Sequence, residues 1–153
     1  MHNDQKALRQ FKAALRLRNL QREKAEIKWR HALQQLRLAE QSLQTETARY
    51  HRILTQHQQF IERGVVLDPA MQEQRLLALA VTRSVVATQQ RAVDVARQLF
   101  QEAKAALVQA KVADDVTNKA LQRVVAEVAH QVHAKELIDI FDAQYRQGGS
   151  LGI

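Results

Sequence analysis

Helix-breaking residues are confined to two short places in this 153-residue chain. Its 4 Gly and 1 Pro fall at Gly64 and Pro69 in mid-chain and at Gly148, Gly149 and Gly152 near the end. Everything between them is built from residues that tolerate a helix, chiefly Ala, Leu, Gln, Arg, Glu, Lys and Val, so each interval can run as one unbroken helix. The reading that follows is an all-α chain of two long helices. The first spans about 4–63, a corner spans 64–68, the second spans about 69–147, and 148–153 form a flexible tail. Aromatics make up only 5% of the chain, and the 46% hydrophobic fraction is mostly Ala, Val and Leu. That supply suits a thin seam between two helices better than a thick globular core.

The corner has the chemistry of a helix stop followed by a helix start. Gly64 can take the left-handed conformation that closes a helix. Asp68 is a good N-cap, and Pro69 sits at the first helical position, where its missing N–H removes no bond. Glu73 adds negative charge near the new N-terminus, where the helix dipole favours it. A corner there folds the two helices into an antiparallel coiled-coil hairpin, one domain over 1–147, that places residue i near residue 133 minus i. Leu8 then lies near Val125 and Trp29 near Lys104. At 1.5 Å per residue, helices of about 60 and 78 residues run roughly 90 and 115 Å.

Periodicity supports that pairing. In the first helix a 4–3 alternation picks out Trp29, Leu33, Leu36, Glu40, Leu43, Thr47, Tyr50, Leu54, His57 and Ile61, the heptad spacing of a helix seam. Leu8, Phe11 and Leu15, followed by Leu17, Leu20 and Ile27, read as a different phase, so a stutter is expected near residues 15–29. The second helix gives Leu79, Thr82, Val86, Gln89, Val93, Ala96, Phe100, Ala103, Leu107, Ala110, Asp114, Thr117, Leu121, Val124 and Val128. Small residues around Ala96–Ala110 allow close approach. Asp114 and Thr117 read as a break in the seam. Beyond it, Leu137, Ile138, Phe141 and Tyr145 form a late apolar cluster that overhangs the start of the first helix.

Charge is unevenly placed. The net charge is +7, and all of it resides in the first half. Residues 1–37 hold Lys6, Arg9, Lys12, Arg16, Arg18, Arg22, Lys24, Lys28, Arg30 and Arg37 against Asp4, Glu23 and Glu26. Such a stripe faces an acidic partner or is simply solvated. Nucleic acid is one class of acidic partner, but only Phe11 and Trp29 are available for base stacking, and no layout of a known DNA-reading element is present. A basic hairpin binding nucleic acid or an anionic membrane, and a generic coiled-coil scaffold or chaperone, are the alternative readings.

Residues for chemistry are scarce. No Cys exists, which excludes disulfides and thiolate sites and fits a reducing compartment. No Gly-rich phosphate loop, nucleophile elbow or metalloprotease signature occurs, so no catalytic residue and no cofactor are expected. His130 and His133, with Glu127, share a helix face, but an i,i+3 pair without a further ligand reads as ordinary surface polarity and not as a metal site. His57 falls on the seam phase and reads as a tolerated polar residue. No run of about 18 apolar residues exists for membrane insertion. The start, Met1-His2-Asn3-Asp4-Gln5, lacks the apolar stretch of a signal peptide. A cytoplasmic protein is expected.

A basic Arg/Gln/Leu-rich first helix, the Gly64–Pro69 corner and an Ala/Val-rich second helix together resemble a known family. This is the central stalk family of bacterial type III secretion, the YscO/SctO group, with FliJ as its flagellar relative. The stretch from Leu38-Ala39-Glu40-Gln41-Ser42-Leu43 through Tyr50 is similar to the pattern before the corner in that family, although Glu46 stands where the flagellar proteins have an aromatic. The resemblance implies a non-enzymatic stalk whose terminal end enters a hexameric secretion ATPase. Its corner half would contact the cytoplasmic domain of the export gate, with substrate chaperones as further partners. That places the chain in the cytoplasm, at the inner membrane through the export apparatus. On this reading Lys6, Arg9, Lys12, Arg16, Leu137, Ile138, Phe141 and Tyr145 are candidates for ATPase contact, and Leu43 and Tyr50 for gate contact.

Overall fold

The structure, a computed structural model, describes residues 2–64 and 68–150. It is all-α. Helix α1 spans His2–Glu62 and helix α2 spans Pro69–Ser150, packed as an antiparallel hairpin. Gly148, Gly149 and Ser150, read from sequence as tail, continue α2. Residues 151–153 of that tail lie outside the described residues, as do Val65, Val66 and Leu67 of the corner.

Each side of the corner follows its sequence chemistry. Gly64 has φ 64°, the left-handed value that a non-glycine residue adopts only at a cost. The last turn of α1 tightens around it, with the Arg63 N–H donating to the Gln59 carbonyl at 3.0 Å and the Gly64 N–H to the Ile61 carbonyl at 3.2 Å. On the far side the Asp68 carbonyl accepts from the Gln72 N–H at 3.0 Å, the first bond of α2. Pro69 opens the helix, where an amide hydrogen would have had no partner.

Packing resolves into two units, Ala25–Leu107 and Met1–Lys24 with Val108–Ile153. In the first, a thin seam holds the helices together. Leu36, Val93 and Leu107 are buried, Val93 to 1% exposure, and Trp29, Leu33, Leu43, Leu54, Leu79, Val86 and Phe100 are half-buried beside them. The Trp29 ring meets Phe100, with centroids 6.4 Å apart and planes tilted by 37°. The partner expected from the simple register, Lys104, sits one residue off the α2 seam and is exposed. Among the polar groups of the seam, the Trp29 Nε1 and His57 Nδ1 atoms are buried without a hydrogen-bond partner, whereas Thr82 satisfies itself locally. The buried Thr82 donates its hydroxyl to the Ala78 carbonyl at 2.7 Å. Beside the corner the Arg75 guanidinium stacks 3.5 Å from the centroid of the Phe60 ring, a contact with the geometry of a cation–π pair.

The second unit shows the same seam with a polar insert. Leu8, Phe11 and Leu15 are half-buried on α1, and Ala110, Thr117, Leu121, Val124 and Val128 are likewise half-buried on α2. The expected stutter does not occur. Residues 8, 11, 15, 22 and 29 keep one 4–3 phase, and what changes is that Asn19 and Arg22 take over the packed face. Leu17, Leu20 and Ile27, whose apolar character suggested a new phase, are exposed. The expected break at Asp114 and Thr117 is also absent. Asp114 is buried in the seam, and Thr117 donates to the Ala113 carbonyl at 2.9 Å.

Candidate protein-interaction surface

Asp114 anchors the polar insert. One Arg22 guanidinium nitrogen lies 2.6 Å from a carboxylate oxygen that is itself almost wholly removed from water. The Asn19 amide, oriented so that its nitrogen faces the carboxylate, donates to the same group at 2.7 and 3.1 Å. Arg22 keeps part of its guanidinium in solvent, its side chain being 40% exposed. The buried anion is thus paired and hydrogen-bonded, the condition under which a charge is tolerated inside an apolar contact. Sequence reading had placed Arg22 in the solvated basic stripe. The signal that could have found the pair was its position one heptad before Trp29.

In the same unit, α1 begins against Val128, Gln131, Val132 and Lys135 of α2, which meet Asp4 and Gln5 around a small cleft. Ala134 is the last half-buried residue of α2, and 135–148 are exposed throughout. That extension carries Leu137, Ile138, Ile140, Phe141 and Tyr145, with Phe141 70% and Tyr145 78% exposed. Leu137, Ile138, Phe141 and Tyr145 fall at i, i+1, i+4 and i+8, one stripe of a helix, with Asp142 on its flank and Glu136 and Asp139 on the opposite face. Lys6, Arg9, Lys12 and Arg16 are all exposed. Arg9, Lys12 and Arg16 each follow a packed residue (Leu8, Phe11, Leu15), so they border the seam. The sequence-derived candidates of this end are all exposed, as an apolar stripe on α2 and a basic border on α1.

The gate-contact candidates have other surroundings. Leu43 and Tyr50 are half-buried on the packed face of Ala25–Leu107, and the Tyr50 ring lies 5.8 Å from that of His51. Their side chains are engaged in holding the two helices together. Glu46, also half-buried, approaches Arg49 at 4.0 Å. His57 is half-buried in the seam, and His130 and His133 are exposed. Among the described residues no three His, Cys, Asp or Glu side chains gather as a metal site, and no described helix is long and apolar enough to cross a membrane.

One surface feature escaped sequence reading altogether. Within Ala25–Leu107 the two helices leave an open apolar groove of about 660 Å³. Ala32 and Ala39 of α1 and Ala92, Ala96 and Ala103 of α2 form its floor. Val95 and Leu99, 61% and 55% exposed, rise on one wall. Lys28, His31 and Arg91 also line it, and none of its lining residues is acidic. Ala content was legible in sequence, but which Ala residues border a seam and which line a groove depends on the rotation of each helix.

In sequence and structure comparisons, no family description, no curated protein and no solved structure matches the chain.

Proposed function

We propose that this chain is the non-enzymatic central stalk of a bacterial type III secretion ATPase complex, working in the cytoplasm beside the inner membrane. The observation that carries the reading is the exposed apolar stripe near the end of α2. An apolar stripe in which Leu137 is 54% and Tyr145 78% exposed has the form of a surface kept for another protein. The basic border at Lys6, Arg9, Lys12 and Arg16 lies in the same unit and supplies exposed charge. Each exposed ion pair formed there contributes little, about 0–1 kcal/mol, so such contacts can exchange as the stalk seats or turns. The hexameric ATPase receives this end, and the corner half faces the export gate. Because Leu43 and Tyr50 are half-buried, gate contact at those positions uses only their exposed edges.

The test is ATP hydrolysis by a hexameric type III secretion ATPase from the same organism, measured with and without the chain. Several-fold stimulation, lost on Phe141→Glu, supports the stalk; an unchanged rate at saturating chain overturns it. The exposed basic border favours a second reading, binding to nucleic acid or anionic membrane. That reading requires strong, steeply salt-dependent binding to DNA or acidic vesicles at about 150 mM salt.

A further inference from the structure

The apolar residues of α1 that depart from its packed phase have a spacing of their own. Leu17, Leu20 and Lys24 lie nine residues after Leu8, Phe11 and Leu15 respectively, which is two and a half turns at about 3.6 residues per turn. They therefore face directly away from the seam. Leu17 is 55% and Leu20 48% exposed, and Ala13 and Lys24 are exposed as well. Ala13, Leu17, Leu20 and Lys24 alternate by four and three residues, and Ile27 continues the series along the helix. That is the narrow a/d stripe of a coiled coil, repeated on the exposed side of α1. With Leu17 and Lys24 at a and Ala13 and Leu20 at d, Arg9 and Arg16 fall at g, the flanking positions that choose a partner by charge. Between Lys6 and Lys24 the only acidic residue is Glu23. Among the described residues Arg22 pairs with Asp114, and Arg9, Arg16 and Lys24 enter no ion pair.

We propose that this face of α1, over residues 9–24, docks an acidic amphipathic helix of another protein. Leu17 and Leu20 enter the apolar seam of that helix, and Arg9 and Arg16 meet carboxylates at its flanking positions. Lys24 takes a carboxylate within the stripe, where a single charged a position fixes register. Charge selects the kind of helix. A second copy of this chain brings the same basic excess, and like charges set face to face disfavour it. Spacing selects a helix over a lipid surface. A helix lying on lipid presents a broad apolar sector, whereas here the stripe is narrow and Lys24 interrupts its centre. The docking does not rest on the stalk reading, since it uses neither Phe141 nor an ATPase.

The probe is a labelled synthetic peptide of about four heptads with Leu at every a and d and Glu at every e and g. Its fluorescence anisotropy is followed as the full chain is added. A Kd of ~10 µM or tighter is expected, rising with salt because the charges are exposed to screening. Leu17→Glu/Leu20→Glu and Arg9→Glu/Arg16→Glu each raise the Kd by ~10-fold or more, the scale of losing a central interface anchor. Arg9→Glu/Arg16→Glu gains affinity instead for the matching peptide with Lys at e and g. All four positions are exposed, so helicity by circular dichroism remains that of the parent chain. No binding of the Glu peptide at about 100 µM chain in low salt overturns the proposal. So does binding unaffected by Leu17→Glu/Leu20→Glu, which places the peptide elsewhere on the chain. Anionic phospholipid vesicles that bind through Leu17 and Leu20 while the peptide does not assign the face to lipid, and self-association lost on Leu17→Glu/Leu20→Glu assigns it to a second copy; either overturns the proposal. Phe141→Glu is expected to leave peptide binding unchanged. Absence of ATPase stimulation with peptide binding intact overturns the stalk reading alone.

Discussion

Arg22, Asp114 and Asn19 show what one polar residue does in a seam only one side chain wide. Asp114 is 5% exposed, and its carboxylate is held by a guanidinium at 2.6 Å and an amide at 2.7 and 3.1 Å. Removing Arg22 leaves that carboxylate with a neutral donor only. Arg22→Ala is expected to destabilise the chain by about 1–3 kcal/mol, less than for a fully buried pair because the arginine is partly solvated. Replacing both charges, Arg22→Leu with Asp114→Leu, is expected to restore or exceed parental stability while loosening the pairing register, since a buried polar residue specifies alignment as much as strength. Urea denaturation of both variants checks the first expectation; disulfide trapping between Cys residues placed at neighbouring seam positions checks the second. The seam phase reached Asp114, but its charge read as a break there, and its burial was not legible. Nor was its partner. A charge on a long flexible stem looks the same in sequence whether it is solvated or reaches inward, and only the rotation of α1 decides between them.

At the scale of the elements, the helices and the corner were read almost entirely from residue types, because Gly64 and Pro69 act through backbone conformation, which is local. Helix α2 ran on through Gly148–Ser150, which shows that a glycine pair lowers helix propensity without abolishing helix. At Gly64 a Cβ would meet nothing within 4 Å, so substitution there costs conformation and not contact. Gly64→Ala is expected to lose about 1 kcal/mol and Gly64→Asn less, since Asn tolerates the left-handed region; thermal melts of the two variants measure the difference. The seam itself is ordered by burial more than by hydrophobicity. Leu107 is 7% exposed and Leu99 is 55% exposed, eight residues apart on the same helix. Leu107→Ala is expected to cost about 2–3 kcal/mol, near the low end for core leucines because a two-helix seam can collapse around the gap. Leu99→Ala should leave the stability of the monomer within about 0.5 kcal/mol. Equal losses at the two positions would mean that Leu99 is covered in the folded monomer and that the groove is closed.

At the scale of the whole molecule, the sequence places its excess of positive charge in residues 1–37 and its most exposed apolar side chains beyond residue 136, and the structure assigns the second group no packing role. Seam heptads predicted where the helices meet. They could not predict where that meeting ends, because the apolar spacing of Leu137, Ile138, Phe141 and Tyr145 is what a continuing seam would also show. Burial marks that end: Ala134 is the last half-buried residue of α2 among the described residues. A folding role and a binding role for this extension separate cleanly on truncation. Removing everything after Lys135 deletes no buried residue of α2. Melted at a concentration where the chain is monomeric, the truncated chain is expected to keep its transition within a few degrees, because ~1 kcal/mol shifts the melting temperature of a domain this size by only about 2–8 °C. It is expected at the same time to lose ATPase stimulation, since that reading uses Leu137 and Phe141. Phe141→Glu in the full chain should reproduce that loss with α2 at full length, which assigns it to the apolar stripe and not to helix length. A truncated chain that melts far below the parent would instead give the extension a structural role within the hairpin, and the interaction could then not be assigned to it by deletion.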